Sequence, residues 1–256
     1  MKKTSKGLVT RRTVLSGAAA IGLSGVARAQ APAEVKVGLI VPMSGIYTRP
    51  GQVMRMGAEM GIEHINAKGG IKSLGGAKLK LVVIDCGDTT EKAKNAAQRM
   101  VAQEADLVAA TGSYLSSFTL ATTEVTERAQ LPMLTLSYSD LITDRGFKFI
   151  FQTAATASRQ SEIGLPELMK LSEAAAGKRP KTVAMIMDNT ATSVATAKAL
   201  KDRLLAQEGL QLVVDEVWTP PLSDATPSAI FRRESTTTTV FVPILRVSMT
   251  PFFTSS

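Results

Sequence analysis

The 256-residue chain has one cysteine, one histidine and one tryptophan. A lone Cys86 excludes an internal disulfide framework, and a lone His64 excludes a multi-histidine metal site. Charge of one sign is missing from the body of the chain. The formal net charge of +8 sits at the two ends: residues 1–30 carry six Lys or Arg and no acid, residues 228–256 carry three Arg and one Glu, and residues 31–227 are neutral in sum. That distribution argues against nucleic acid as a partner. The apolar run Val14–Val26 is 13 residues long, too short for a membrane span of about 20 residues. There is no G-x-S-x-G elbow, P-loop or G-x-G-x-x-G turn, so hydrolase, NTPase and dinucleotide chemistry lack their usual geometry. No catalytic residue, metal ligand or cofactor is assigned. His64 reads as a surface residue. Asp85-Cys86-Gly87-Asp88 reads as a strand end turning into a helix, with Asp88 near that helix's N-terminus.

The first 29 residues read as an export signal. Basic residues from Lys2 to Arg12 precede the apolar run, and Ala27-Arg28-Ala29 supplies an A-x-A cleavage pattern before Gln30. Thr10-Arg11-Arg12-Thr13-Val14-Leu15 has the form of a twin-arginine motif. Arg28 before the cut and the weakly apolar Gly/Ala-rich core agree with it. The expected product is free in the periplasm, without a lipid anchor, because Cys86 lies far from the cleavage site.

The remainder alternates strands with helices. Val35–Val41, Leu79–Asp85, Asp106–Thr111, Met133–Leu136, Lys148–Gln152, Thr182–Met187 and Leu210–Trp218 have strand character. Between them, helical spacing predicts helices over Gly51–Asn66, Thr89–Gln103, Ser117–Gln130, Ser158–Ala175 and Val194–Gln207. In the first of these the apolar face is Met54, Ala58, Gly61/Ile62 and Ile65. Strand–helix–strand units of this length specify an α/β fold with parallel sheets and helices on both faces. A small-residue stretch over Gln152–Ser158 divides a first lobe (30–155) from the start of a second (156–227).

Ligands of open α/β sheets bind outside the carboxyl ends of the strands. Three loops there are rich in hydroxyls: Met43-Ser44-Gly45-Ile46-Tyr47, Gly112–Ser117 and Ser137-Tyr138-Ser139. The second opens a helix, where Ser116 or Ser117 serves as a cap and where free amides suit a carboxylate.

These segments carry a resemblance. Val37-Gly38 leading to Pro42-Met43-Ser44-Gly45, then Gly57-Ala58 to Ile65-Asn66-Ala67-Lys68-Gly69-Gly70-Ile71, then Ala109–Ser117 and Leu131-Pro132 resemble the periplasmic Leu/Ile/Val-binding proteins of ABC transporters, from Val35 to about Pro227. The resemblance implies the type I periplasmic binding protein fold, two Rossmann-like lobes that close on a small amino acid, amide or organic acid. It implies an inner-membrane permease as partner, with a ligand-sensing module of the same fold as the alternative role. By position it assigns the ligand carboxylate to Ser116, Ser137 and Ser139, with Tyr138 between them. Tyr47 stands near the place of an aromatic contact, and Thr192 ends the loop Asp188–Thr192, where the family offers a Tyr that this chain lacks. Family members continue well past this length. Of residues 228–256, eleven are Ser or Thr, and this segment reads as a truncated or frame-altered end, with a naturally short form as the alternative, after a short helix (Ala229–Glu234) and a strand (Val240–Leu245). An incomplete second lobe would leave the chain marginally stable and its binding weak.

Overall fold

The computed structural model describes residues 34–219 and 239–243. Arg11, Arg12, Ala27, Ala29 and the expected helix at 229–234 lie outside the described residues. Two parallel sheets organise the rest. The first contains β1 (Glu34–Val41), β2 (Lys78–Asp85), β3 (Leu107–Gly112), β4 (Met133–Thr135) and β5 (Ile150–Gln152), in the order β2-β1-β3-β4-β5. The second contains β6 (Thr182–Asp188), β7 (Gln211–Trp218) and β8 (Thr239–Pro243), in the order β7-β6-β8. Every pairing between these strands is parallel. The longer helices are α1 (Thr48–Ala67), α2 (Thr90–Gln103), α3 (Ser116–Arg128), α4 (Ala157–Ala176) and α5 (Ala191–Ala199).

Alternation along β1 sets the layers. Ile40 joins the core that α2 and α3 close, together with Phe118, Met133 and Ile150, so its neighbours Leu39 and Val41 face the other way, toward α1. On α2 the buried positions are Ala93, Ala96, Ala97 and Met100, a helical stripe whose small side chains let the helix lie close to the sheet. Thr89 caps it by accepting the Lys92 N–H at 3.2 Å. Gly112 ends β3 at φ +129°, and a Cβ there would collide with the Ile40 carbonyl; only glycine fits this turn.

Three local expectations change. Ile65 is 41% exposed rather than packed on the sheet, because the next residue, Asn66, makes the contact instead. The Asn66 carboxamide donates to the Leu79 carbonyl and accepts from the Leu79 N–H, both at 2.8 Å. The fifth strand starts at Ile150, since the amides of Lys148 and Phe149 donate to the Glu127 carboxylate at 2.8 and 2.9 Å and so leave the ladder. The helix expected to run unbroken to Gln207 passes at Leu200–Leu204 through a π turn. That widening brings Leu200, Leu204 and Leu205 all into the second core, with Leu165, Met169 and Met185.

Candidate functional site: a crevice between two sheets

The carboxyl ends of β1, β2, β3, β6 and β7 lead into one crevice. It forms an open cleft of about 320 Å³, a volume at the lower end of the range of about 300–1,000 Å³ usual for small-molecule sites. One wall is Tyr47, Asp88, Thr89, Thr90, Leu115, Ser117 and Phe118; the other is Asn189, Thr190, Ala191 and Thr219. Tyr47 meets Phe118 edge-on and Tyr114 at a tilt, each with ring centroids 6.0 Å apart, which fixes an aromatic corner. Asp88 is committed to Lys92 at 2.8 Å, and that hydrogen bond holds its carboxyl below the ordinary aspartate value. Asn189 is oriented by its own bond to Thr219 Oγ1 at 2.8 Å.

Of the seven residues expected at the ligand, Tyr47 and Ser117 line the cavity. Ser116 lies just behind the wall and is 2% exposed. Its Oγ accepts the N–H groups of Tyr138 and Ser139, each at 3.2 Å, and stands 2.6 Å from Thr192 Oγ1. With both lone pairs taken, the Ser116 proton points to Thr192. This hydrogen bond crosses between the lobes and joins the first turns of α3 and α5. Two helix N-termini, each with a positive dipole end, therefore meet here. Ser137 is buried and faces inward, donating to the Ser113 carbonyl at 2.9 Å and lying 2.7 Å from Thr119 Oγ1. The Tyr138 side chain is 43% exposed. Ser139 is different: its residue is fully buried and its Oγ has no hydrogen-bond partner. A buried orphan hydroxyl costs stability and asks for a reason.

Beside the crevice a second cavity of about 190 Å³ is lined by Ser44, Asp85, Cys86, Lys92, Asn95 and Arg99. Burial pushes the Asp85 carboxyl up, but hydrogen bonds from Ser44, Gly87 and Met43 outweigh it and leave the group below the ordinary value. It works as a loop staple, accepting the Met43 and Gly87 amides at 2.8 Å each. Burial, followed by the Asp85 charge, pushes the Cys86 thiol up to about 12, which makes it a poor nucleophile. Among the described residues no group of three or more His, Cys, Asp or Glu could hold a metal ion, and no helix is long and apolar enough to cross a membrane. His64 is exposed on α1.

A clasp ties the first lobe to the start of the second. Asp140 accepts the hydroxyl of Ser158 and, at 3.2 Å, its N–H. Burial raises the Asp140 pKa, while these bonds and one from Thr156 bring it below the ordinary value.

Sequence reasoning missed Thr89, Thr90, Phe118 and Thr219. The first two were readable as cap residues alone, yet they follow β2 at its carboxyl end, and Thr219 follows β7 in the same way. Position after a strand was the available signal, and it applied to every strand in both sheets.

Comparison with known proteins agrees with this arrangement. The sequence profile of a family described as periplasmic binding protein matches residues 34–248. Leu/Ile/Val-binding protein homolog 8 of Brucella suis biovar 1 is 28% identical over 208 residues, covering 79% of this chain and 50% of that protein. The chain thus spans about half the length of the curated relatives it matches. Among solved structures, the branched-chain amino acid transporter substrate-binding protein LivJ of Streptococcus pneumoniae, in complex with isoleucine, aligns at TM-score 0.67 and 22% identity, covering 79% of this chain and 54% of that one. A solute-binding protein of an ABC transporter from Rhodopseudomonas palustris BisB5, in complex with 3,4-dihydroxybenzoic acid, aligns at TM-score 0.62 and 22% identity, covering 78% and 51%. At these identities the structures attest the fold.

Proposed function

The chain belongs to the periplasmic binding protein family, and from that premise we propose that it is an extracytoplasmic receptor that captures a small carboxylate solute, an amino acid or an organic acid, for an ABC importer. The observation that carries this reading is the meeting of the α3 and α5 N-termini at the Ser116–Thr192 bond, beside the orphan hydroxyl of Ser139. Two positive helix ends facing each other repel, and an anion between them is stabilised by both. A ligand carboxylate there takes a hydrogen bond from Ser139 and replaces the direct bond between the lobes with a bridged one. Closure of the crevice then depends on the ligand, as in hinge-closing receptors. The edge-on Tyr47 and Phe118 rings and Leu115 offer an apolar wall to the ligand's side chain. An inner-membrane permease receives the closed form, and Arg11 and Arg12 direct export to the periplasm with cleavage after Ala29.

Titration calorimetry of the purified chain tests the site with leucine, isoleucine and 3,4-dihydroxybenzoate, each paired with its uncharged amide. The carboxylates bind more tightly than the amides by about tenfold or more, the worth of a hydrogen bond to a charged group. Ser139→Ala weakens the carboxylate and raises the melting temperature of the free protein, because it removes an unsatisfied buried group. Equal affinity for acid and amide would sink the reading. For export, Arg11→Lys combined with Arg12→Lys leaves precursor in the cytoplasm; processing at the normal rate would dismiss the twin-arginine route.

A further inference from the structure

The Ser137-Tyr138-Ser139 loop is held at every backbone group. The Ser137 N–H donates to Thr135 Oγ1 at 3.1 Å, the Tyr138 and Ser139 N–H groups share Ser116 Oγ, and the Tyr138 carbonyl accepts the Ala157 N–H at 2.6 Å. The two carbonyls that remain go to one side chain. Gln152 Nε2 donates to the Ser137 carbonyl at 2.7 Å and to the Ser139 carbonyl at 3.4 Å, and the latter also accepts the Ile142 N–H at 3.2 Å. A carboxamide offers two N–H groups and one oxygen. Here both N–H groups are used, and the oxygen accepts the Thr143 hydroxyl at 3.3 Å.

Within this pinned loop the Ser139 hydroxyl is the one buried side-chain polar atom without a partner among the described residues. The Ser139 N–H is fixed from one side by Ser116 and its carbonyl from the other by Gln152 and Ile142. The Cα that carries the hydroxyl therefore has little freedom to turn. We infer, on the reading above of Ser139 as donor to a ligand carboxylate, that Gln152 is a positioning residue of the site. It aims the Ser139 hydroxyl through the loop backbone and does not itself touch the ligand. A donor that is already aimed loses little freedom when the ligand arrives, which is how a rigid site draws affinity from a single hydrogen bond. Gln152 is the last residue of β5, so the aim of the hydroxyl is set by a strand and not by the loop that carries it.

A double-mutant cycle read by titration calorimetry tests the coupling, with isoleucine and 3,4-dihydroxybenzoate as probes, each against its amide. The proteins are the parent, Gln152→Met, Ser139→Ala and the double variant; methionine keeps the length of glutamine without its donors. In the parent background Gln152→Met weakens the carboxylates about fivefold or more and leaves the amides within about twofold. In the Ser139→Ala background the same change has no further effect, because no hydroxyl is left to aim. Thr143→Val frees the Gln152 oxygen from an exposed position that the fold tolerates, and it lowers carboxylate affinity by about twofold. Losses that add across the two sites, or that fall equally on acid and amide, would mean that Gln152 only braces the loop. Either result overturns the proposal and leaves the anion reading intact. An unchanged acid-to-amide ratio in Thr143→Val would overturn it as well, whatever becomes of the Gln152→Met fold. A parent indifferent to acid and amide would remove the anion reading and this one together.

Discussion

The two faces of the first sheet are built from adjacent residues and end up in opposite environments. On the α2/α3 face, Met133 and Ile150 are 0% and 7% exposed; one residue along, Leu134 and Phe151 are 42% and 52% exposed. Leu134 pairs in register with Phe151, so the exposed side chains form a continuous row. Parallel sheets ordinarily carry cover on both faces, and α1 covers only the β1–β2 half of the second face. Hydrophobic sequence alone therefore does not report burial here. In β4 Met133 and Leu134 read as equally apolar, and which of the two is core depends on what lies across the sheet.

The largest effect belongs to the covered face. Met133→Ala removes a side chain from a closed core and costs about 2–5 kcal/mol of stability, measured by urea unfolding. A cost under about 0.5 kcal/mol would mean that this face is as open as the other. Next comes thiol chemistry. Cys86 sits in the covered core with its thiol pushed up to about 12, whereas a cysteine placed by Leu134→Cys on the bare face has an ordinary thiol. At pH 8 the introduced cysteine reacts with an alkylating reagent about a hundredfold faster or more, since Cys86 needs an opening of the core. Similar rates would erase the distinction.

Asp140 sharpens the comparison at the junction of the lobes. Its folded pKa lies below the ordinary aspartate value of 3.8, so the unfolded state binds more protons in the window between the two values. The clasp is fully present above pH 3.8 and is lost as pH falls through the lower, folded value. Asp140→Asn costs about 1–3 kcal/mol at pH 7, and the gap from the parent shrinks on acidification. A gap that widened in acid would reverse the assignment. The smallest effect is on the bare row: Leu134→Ser changes stability by no more than about 0.5 kcal/mol and lowers binding of a hydrophobic dye. A loss comparable to that of Met133→Ala would show that something covers the row in solution.

Much of the fold was legible because β-branched runs, glycine punctuation and alanine-rich helical stripes each pointed one way. Ala93, Ala96/Ala97, Met100 and Val101 were readable as one apolar face; the first four are buried and Val101 is half-buried at its edge. The site was legible only as a region. Hydroxyls after strands marked the crevice, but whether a serine faces ligand or protein depends on distant partners: Ser116 is claimed by Thr192, 76 positions away, and Ser137 by Ser113 and Thr119. No local pattern encodes such pairings. The π turn at Leu200–Leu204 was hidden for a related reason, since the leucines fit a regular helix until the second core demands Leu204 and Leu205 together.

Asn66 has a consequence of another kind. β2 is one of the two edge strands of the first sheet among the described residues, and an edge strand offers free backbone groups to any passing chain. At Leu79 both of those outward groups are already held by the Asn66 carboxamide. A foreign strand adding to this border must first evict a side chain that is anchored at the end of a 20-residue helix. One amide thus guards this edge against growing into its neighbours, a safeguard against fibril formation that removing the carboxamide would lift without touching the crevice.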